Sequence, residues 1–223
     1  MKVLVTGGAG FIGSHLVEAL LALGHTVSVV DDFNDFYDPQ IKRQNLEPVR
    51  GEIRLHSIDI RDQKAVLDTF SVERPEAVVH LAARAGVRPS IQRPDLAIHK
   101  FTDLIHHGKP IDVYGDGTAR RDFTYIEDIV QGAISSLKYD GAPFDIFNLG
   151  ESETIELHEV ISGIEAALGR KATINSLPPV PGDMPTTYAD ISKARQFLGY
   201  APITRIQSGL RKFIEWYLPG HPL

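Results

Sequence analysis

Three glycines near the N-terminus have the type and spacing that a nucleotide phosphate requires. Gly7, Gly10 and Gly13 lie in the segment GGAGFIG, which Thr6 separates from the apolar run 3–5. In such a pattern the first glycine permits a tight turn, the second lets the backbone approach a pyrophosphate, and the third lets a helix pack closely on a strand. Phosphates would bind the N–H groups at the start of that helix. The pattern predicts a dinucleotide site; a glycine-rich turn without a ligand is the alternative.

A carboxylate follows at the position expected for a ribose ligand. Asp31 lies at the end of the second predicted strand, 18 positions after Gly13. A carboxylate there can accept both hydroxyls of an adenosine ribose, and it would repel a 2′-phosphate. The nearest following arginine is Arg43, so NAD is favoured over NADP, and Asp32 is the second candidate ligand. The alternative is that Asp31 only begins a turn.

Alternating strands and helices must hold these residues in place. Apolar runs predict strands at residues 3–5, 26–30, 53–58 and 77–81, and helical spacing predicts helices at 11–23 and 63–72. A strand–helix–strand rhythm of this kind predicts right-handed βαβ units and a parallel sheet covered by helices. We therefore predict an α/β fold of the Rossmann type, with a doubly wound parallel sheet.

The pattern changes after Ala82. Residues 82–95 are rich in Arg, Gly and Pro, which is typical of a loop or linker. Beyond it we predict helices at 97–107, 126–138, 156–168, 191–198 and 205–217, and short strands near 111–113, 145–148 and 172–175. This second region is a small α/β arrangement in its own right.

Composition excludes several classes of protein. The chain has 223 residues, and its 23 Lys and Arg against 29 Asp and Glu give a net charge of −6. It lacks a broad basic surface for nucleic acid, and its first apolar run is too short for a signal peptide or a membrane span. It has no Cys, which excludes disulfides and thiolate zinc sites. We expect a cytoplasmic chain without metal, nucleic acid or membrane as partner.

Longer motifs extend over nearly the whole sequence. They are VTGGAGFIGSH at 5–15, DDFNDFYD at 31–38, HLAA at 80–83, AGVRPS at 85–90, RPDLAIHKF at 93–101, YGDG at 114–117, RRDFTYI at 120–126, PGD at 181–183 and ADISKA at 189–194. In these segments the chain resembles the extended short-chain dehydrogenase/reductase family, the NAD-dependent sugar-nucleotide epimerases and dehydratases. The resemblance is greatest to the UDP-glucuronate 4-epimerase branch.

The resemblance implies ligands on both sides of the cofactor. It implies that Asp59 and Ile60 flank the adenine, and that residues 81–83 lie along the nicotinamide side. The complete set of candidate cofactor ligands is Gly7, Gly10, Phe11, Ile12, Gly13, Asp31, Asp32, Asp59, Ile60, Leu81, Ala82 and Ala83.

The resemblance also implies a UDP-sugar ligand. Arg121 and Asp183 would contact its nucleotide part, and an arginine offers a bidentate fork to a diphosphate. Arg88 and Arg93 are candidates for a substrate phosphate or sugar carboxylate, with a role as solvated loop charges as the alternative.

The catalytic pair of these enzymes is missing from this sequence. They resemble one another in a Tyr-x-x-x-Lys pair, in which the neighbouring ammonium lets tyrosine, with its ordinary pKa near 10, remove the proton of the sugar C4 hydroxyl. None of the seven tyrosines here is followed by Lys four positions later. Compared with the family, a block on the order of ninety residues is absent across Ile91–Gln92. The sheet is then a truncated one, with residues 1–92 as the NAD-binding region and 93–223 as the substrate-side region, whose helices return to the core.

Three functional hypotheses follow. The first is an NAD-binding protein without ordinary epimerase turnover; the second is an active epimerase or related oxidoreductase with a substitute base; the third is a shortened remnant folded through self-association. The candidate substitute bases are Tyr125, Tyr114, Lys100 and His99, while His80 is expected to be a hydrogen-bonded core histidine. Because truncation would leave a strand edge or helix-packing face uncovered, we predict a homo-oligomer, either a simple or a swapped dimer. Each copy would still lack the Tyr-Lys pair.

Overall fold

The computed structural model describes residues 1–35, 37–83, 94–179 and 184–220, with the backbone alone for 94–97. The chain divides into two compact units. The first comprises Met1–Gly86 with Val130–Asp140, and the second Val87–Ile129 with Gly141–Leu223. The predicted boundary between residues 92 and 93 lies outside the described residues, so the division at that point stays a prediction.

The first unit contains a four-stranded parallel sheet. Its strands are β1 (Lys2–Thr6), β2 (Thr26–Val30), β3 (Arg54–His56) and β4 (Ala77–His80). They lie in the order β3-β2-β1-β4, with Val3 of β1 opposite Val27 of β2 and Ala77 of β4. The predicted α/β fold with a Rossmann-type parallel sheet is confirmed, although β3 is shorter than predicted.

Three helices connect these strands. They are α1 (Phe11–Ala22), α2 (Pro39–Leu46), which a 3-10 turn at Glu47–Val49 extends, and α3 (Gln63–Glu73). Helices α1 and α3 match the prediction, whereas α2 was not predicted. Its start has a recognisable signal, since the Asp38 side chain accepts the Gln40 N–H and Pro39 occupies the first turn.

A buried carboxylate fastens α3 to the sheet. Glu73 is 4% exposed and accepts hydrogen bonds from Ser28 Oγ at 2.7 Å and Arg54 Nη1 at 3.1 Å, while His56 Nε2 lies 2.8 Å from its other oxygen. Burial alone would raise the pKa of Glu73, but the bonds from Ser28, His56 and Arg54 outweigh it and hold the pKa below its usual value. The end of α3 is thereby tied to β2 and β3.

The second unit holds two small sheets. In one, β5 (Ile111–Tyr114) pairs parallel with β8 (Ile174–Leu177). In the other, β6 (Arg120–Asp122) pairs antiparallel with β7 (Thr154–Glu156) and parallel with β9 (Thr186–Thr187). Strands β6, β7 and β9 have only two or three residues each, too few for a periodic signal.

The predicted helices of the C-terminal region are confirmed to within a few residues. They are α4 (Pro94–His106), α5 (Ile126–Ser136), α6 (Leu157–Leu168), α7 (Ser192–Leu198) and α8 (Ile206–Gly220). Residues from Val130 onward in α5 belong to the first unit. The core of the second unit is formed by Phe101, Ile105, Ile111, Val113, Val160, Ile161, Ile164, Leu210 and Ile214.

The strand predicted at 145–148 is wrong. The segment belongs to none of the sheets formed by the described residues, and Phe144 and Ile146 are 80% and 67% exposed. Between them, Asp145 forms an ion pair with Lys193, and Phe147 packs against the small core around Ile191 and Tyr200. The exposure of successive side chains alternates here as in a strand, but a strand also needs a neighbouring strand to pair with.

One face of the parallel sheet exposes apolar side chains. Val78 of β4, Phe70 of α3 and Ile60 are each 40–43% exposed and line a cavity of about 250 Å³. His80 lines the same cavity and is exposed, so its predicted place in the core is wrong, although its Nδ1 lies 2.6 Å from Thr6 Oγ1. The reason is that β4 pairs with β1 alone among the described residues.

We expect Glu73→Gln to destabilise the chain by about 1–3 kcal/mol at pH 7, because a buried, ionised acceptor of three hydrogen bonds is lost. The pKa of Glu73 is lowered on folding from 4.5, so its stabilising effect is present above that value and disappears as the pH falls through the folded pKa. Urea unfolding of both proteins at pH 7 and in acid measures the difference. The exposed Glu18→Gln is the matched control, and an equal difference at both pH values would contradict the assignment.

Candidate dinucleotide site

The turn after β1 leaves no room for a side chain at Gly7. This residue has φ +69°, and a Cβ on it would lie 2.7 Å from the backbone N of Ala82. The Gly7 N–H donates to Val30 O of β2 at 2.7 Å, while Leu81 N–H donates to Thr6 O at 2.9 Å. The structure thus brings the predicted residues Gly7, Leu81 and Ala82 together at the carboxyl ends of three strands.

Gly13 provides the second close contact. A Cβ there would lie 2.2 Å from Gly7 O, so the first turn of α1 can pack on the turn only with glycine. Gly10 precedes α1 in an extended conformation and makes no side-chain cap, and no acidic residue lies in the first turn of the helix.

The start of α1 has the character of an anion site. The first N–H groups of a helix have no acceptor within the helix and carry the positive end of its dipole. Here they belong to Phe11, Ile12 and Gly13, and the side chains of Phe11 and Ile12 are 64% and 41% exposed. These are the groups that the sequence pattern assigned to a pyrophosphate.

Asp31 is buried beside this turn. It is 5% exposed, and its Oδ2 accepts Ala9 N–H at 3.2 Å while its Oδ1 accepts Phe33 N–H at 2.9 Å. The carboxylate is therefore fixed in orientation by backbone donors on both sides. Asp32, the second candidate, is more open and accepts Asn34 N–H at 3.1 Å.

Helix α2 adds two side chains that the sequence prediction missed. Lys42, 6% exposed, places Nζ 3.1 Å from Asp31 Oδ1 and 3.8 Å from Asp32 Oδ1. One turn later, Asn45 Nδ2 donates to Ala9 O at 3.0 Å. These two residues share a face of α2 by their spacing. The Asp38-Pro39 helix start was the signal that would have revealed α2 and, with it, Lys42.

The remaining cofactor candidates lie at the margin of the site. Asp59 is engaged by its neighbour Arg61, whose Nε lies 2.9 Å from Oδ2 and 3.0 Å from Oδ1. Ile60 lines the apolar cavity beside His80, and Ala83 is exposed. Their predicted contacts with adenine and nicotinamide stay predictions.

In the second unit, Asp122 organises the segment next to Arg121. Its Oδ1 accepts Glu151 N–H at 2.9 Å, and its Oδ2 accepts Ser152 N–H at 3.0 Å and Ala189 N–H at 3.2 Å. A cleft of about 380 Å³ beside it is lined by Asp122, Thr124, Asn148, Leu149, Gly150, Thr187, Tyr188 and Ala189.

Of the four predicted substrate ligands, Arg121 is the one that lies within the described residues. Arg121 lies in β6, is half-buried, and donates from Nη1 to Arg120 O at 2.8 Å. Arg88, Arg93 and Asp183 lie outside the described residues. The contacts of all four with a substrate remain predictions.

Glu151 is the most perturbed carboxyl group of this region. Burial, followed by the charges of Asp128, Glu153 and Asp122, raises its pKa to about 7. Its Oε2 is buried and has no hydrogen-bond partner among the described residues. The protonated form of this side chain is therefore favoured on folding.

Two kinds of feature are absent from the described part of the chain. No helix there has the length and apolar character needed to cross a membrane. No three His, Cys, Asp or Glu side chains there are grouped to hold a metal ion. The cytoplasmic location stays a prediction.

Comparison with known proteins places this geometry in context. The model of the GDP-mannose 4,6 dehydratase family matches residues 4–102, and that of the NAD dependent epimerase/dehydratase family matches residues 97–150. UDP-glucuronate 4-epimerase from Thermodesulfobacterium geofontis is 30% identical over an alignment of 308 positions, gaps included, that covers 96% of this chain and 95% of the relative. This chain belongs to the NAD-dependent epimerase/dehydratase family. UDP-glucuronate 4-epimerase 1 of Arabidopsis thaliana, 30% identical, aligns with 98% of this chain and 77% of its own length.

Solved structures of this family share the fold. UDP-glucuronic acid 4-epimerase from Bacillus cereus, in complex with UDP-glucuronic acid and NAD, superposes with a TM-score of 0.83 at 26% identity, over 98% of this chain and 100% of the other. UDP-glucose 4-epimerase from Thermotoga maritima gives a TM-score of 0.83 at 21% identity, over 97% and 98% of the two chains. The resemblance in the sequence motifs is thus confirmed at the level of family and fold.

Replacing Glu151 by Gln should stabilise the chain by about 1–2 kcal/mol at pH 8, because Gln mimics the protonated form without charge. Glu151 titrates near 4.5 when unfolded and near 7 when folded, so wild-type stability falls as the pH rises between these values. The advantage of the variant should accordingly shrink towards pH 4.5. Urea unfolding across this range measures it, with the exposed Glu215→Gln as control, and a variant less stable at pH 8 would refute the assignment.

Proposed function

We propose that this chain binds NAD at the turn Gly7–Gly13 and Asp31, and that it lacks the ordinary epimerase turnover of its family. The proposal of NAD binding rests on the close approach of the Gly7 backbone to the backbone of Ala82. This contact brings the start of α1 and the chain after β4 to one edge of the sheet. Ligands of open α/β sheets bind at this carboxyl edge, with the pyrophosphate at the helix start.

The residues present fit the cofactor. The first turn of α1 offers N–H donors without a side-chain cap, and Gly10 carries no side chain that would cover them. The buried Asp31 is held in orientation by Ala9 and Phe33. NAD, when bound, supplies hydride acceptance and return; this chain supplies the groups that hold it.

Two observations support the absence of turnover. No tyrosine of the sequence has Lys four positions later. The alignment with the Thermodesulfobacterium enzyme extends over 308 residues, 85 more than the 223 residues of this chain. That excess supports an internal gap of about the size proposed from the motifs, which we place across Ile91–Gln92 on the motifs alone.

The candidate substitute bases lack the environment that a base needs. Burial, and then the charge of Glu127, raise the pKa of Tyr125 above 10, against a smaller opposing effect of Lys212. A tyrosine base requires the opposite shift. His99 makes edge contacts with the rings of Phe213 and Tyr217 at 5.9 and 5.5 Å, which is a packing role. Tyr114 and Lys100 are exposed.

A UDP-sugar is the proposed second ligand. The Bacillus cereus structure contains UDP-glucuronic acid, and Arg121 of this chain stands in the motif RRDFTYI. A guanidinium offers paired donors to a diphosphate. Asp122 would position that arginine by anchoring β6 to residues 151, 152 and 189.

Titration with NAD tests the proposed cofactor, and Gly10→Val is the informative variant. Gly10 has φ −73°, which any residue adopts, but a Cβ there would lie 3.2 Å from Gly7 O. A branched side chain would therefore crowd the turn and cover the helix start, and we expect NAD affinity to fall at least about tenfold. Gly51→Val is the matched control, because a Cβ there meets nothing within 4 Å. Isothermal titration calorimetry measures both. Absence of NAD binding by the wild type at millimolar concentration would refute the proposal.

Incubation of the NAD-loaded chain with UDP-glucuronate tests the second half of the proposal. We expect no C4 epimer by chromatography. Conversion would favour the hypothesis of a substitute base, and Tyr125→Phe would then identify or eliminate that residue. A chain that binds neither NAD nor UDP-sugar would favour the hypothesis of a folded remnant.

We also propose that the chain forms homo-oligomers through the apolar face of the first unit, as a simple or swapped dimer. Val78 is 43% exposed there, beside a cavity lined mainly by apolar residues. Light scattering should give a mass above the 24.6 kDa of one chain, and Val78→Lys should lower it because a buried ammonium is costly. Val72→Lys, at a 70% exposed position outside the cavity, is the control. A monodisperse wild-type monomer would contradict the proposal.

A further inference from the structure

A short turn in the second unit forms part of the wall of the cleft beside Asp122. The turn comprises residues 150–152, and Gly150 lines the cleft. Asp122 accepts the N–H groups of residues 151 and 152 at 2.9 and 3.0 Å, and Tyr200 OH donates to Gly150 O at 2.9 Å. Ser152 has φ +61°, a left-handed conformation that disfavours a side chain. The shape of the turn therefore depends on these hydrogen bonds.

One carboxyl oxygen in this turn is buried without a donor. Glu151 Oε2 has no hydrogen-bond partner among the described residues. The neighbouring carboxylates of Asp122 and Asp128 already accept backbone N–H groups, those on Asp128 coming from residues 203 and 204. A protonated Glu151 adds no charge to this place, whereas an ionised one adds a further negative charge with no donor to Oε2.

The charges around Glu151 oppose its ionisation on balance. Three acidic groups raise its pKa, after the larger effect of burial: Asp128 of α5, Glu153, and Asp122 of β6. Arg205 lowers it, but this guanidinium is itself paired with Glu153. The Tyr200 hydroxyl, whose own pKa is raised to about 12, stays neutral. Burial and charge together bring the pKa of Glu151 from 4.5 to about 7.

We propose that protonation of Glu151 controls this turn: the turn lies closed against Asp122 while the carboxyl is protonated, and it opens when the carboxyl ionises. An open turn lets water reach Oε2 and moves its charge away from Asp122 and Asp128. Gly150 then leaves the wall of the cleft, so the cleft widens as the pH rises towards neutrality. The proposal concerns the cleft itself and does not depend on the binding of NAD or a UDP-sugar.

Hydrogen exchange of the amides of residues 151 and 152, resolved by NMR, tests this proposal. The open turn restores the ordinary pKa of 4.5 and the closed turn holds it at about 7, so the opening equilibrium should increase about tenfold between pH 6 and pH 8. Protection factors, which are corrected for the intrinsic exchange rate, should fall by that amount. In Glu151→Gln they should be equal at both pH values, while the exposed Glu215→Gln is the control that should keep the fall.

Two variants of exposed neighbours should change the size of this fall in opposite directions. Glu153→Gln removes a repelling charge, so the fall between pH 6 and pH 8 should be smaller than in the wild type. Arg205→Met removes the cation, so the fall should be larger. A merely structural role of Glu151 gives no such pair of effects, and these two variants decide if Glu151→Gln does not fold.

Three results would overturn the proposal. The first is equal protection of the two amides at pH 6 and pH 8 in the wild type, and the second is a tenfold fall that persists in Glu151→Gln. The third is protection as high as that of Val160 and Ile164 in the core of α6, because the turn would then open only when the whole unit unfolds.

Discussion

The first unit depends on a contact between backbones that excludes every side chain. At Gly7 the turn after β1 passes so close to the chain leaving β4 that a Cβ would lie 2.7 Å from Ala82 N, and at Gly13 the helix repeats this constraint against Gly7 O. Hydrogen bonds from Gly7 to β2 and from Leu81 to β1 lock the arrangement. Because these contacts use backbone atoms, they bring three strand ends and one helix start to a single edge of the sheet.

The same contacts hold together the four-stranded sheet of the described residues. Strand β1 pairs with β2 on one side and β4 on the other, so the central strand is fully partnered within residues 2–80. Glu73 then ties α3 to β2 and β3. The gap that we propose after β4 would remove neither set of bonds. It would affect the coverage of the sheet, since Val78 and His80 of β4 are exposed.

Features fixed by local sequence were predictable, and those fixed by distant neighbours were not. The periodicities of β1, α1 and α6 indicated these elements within a residue or two. The segment 145–148 has the pattern of a strand but no pairing partner in the described part of the chain, which a local pattern does not reveal. The glycines and Asp31 could be found because their spacing is itself the signal. Lys42 was missed because its place beside Asp31 depends on helix α2, whose start at Asp38 and Pro39 was overlooked.

Binding and chemistry are separable in this chain because different kinds of group would perform them. In the proposed function, a pyrophosphate would be held by backbone N–H groups at the start of α1, and these groups persist whatever side chains are present elsewhere. Proton removal from a sugar hydroxyl instead needs one side chain with a lowered pKa, and that shift requires an adjacent cation in a fixed place. Lys212, 4.6 Å from the Tyr125 ring, is outweighed there by burial and Glu127. The turn at Gly7 offers the backbone donors that binding would need. Proton removal would need a tyrosine followed by Lys four positions later, and the sequence has none.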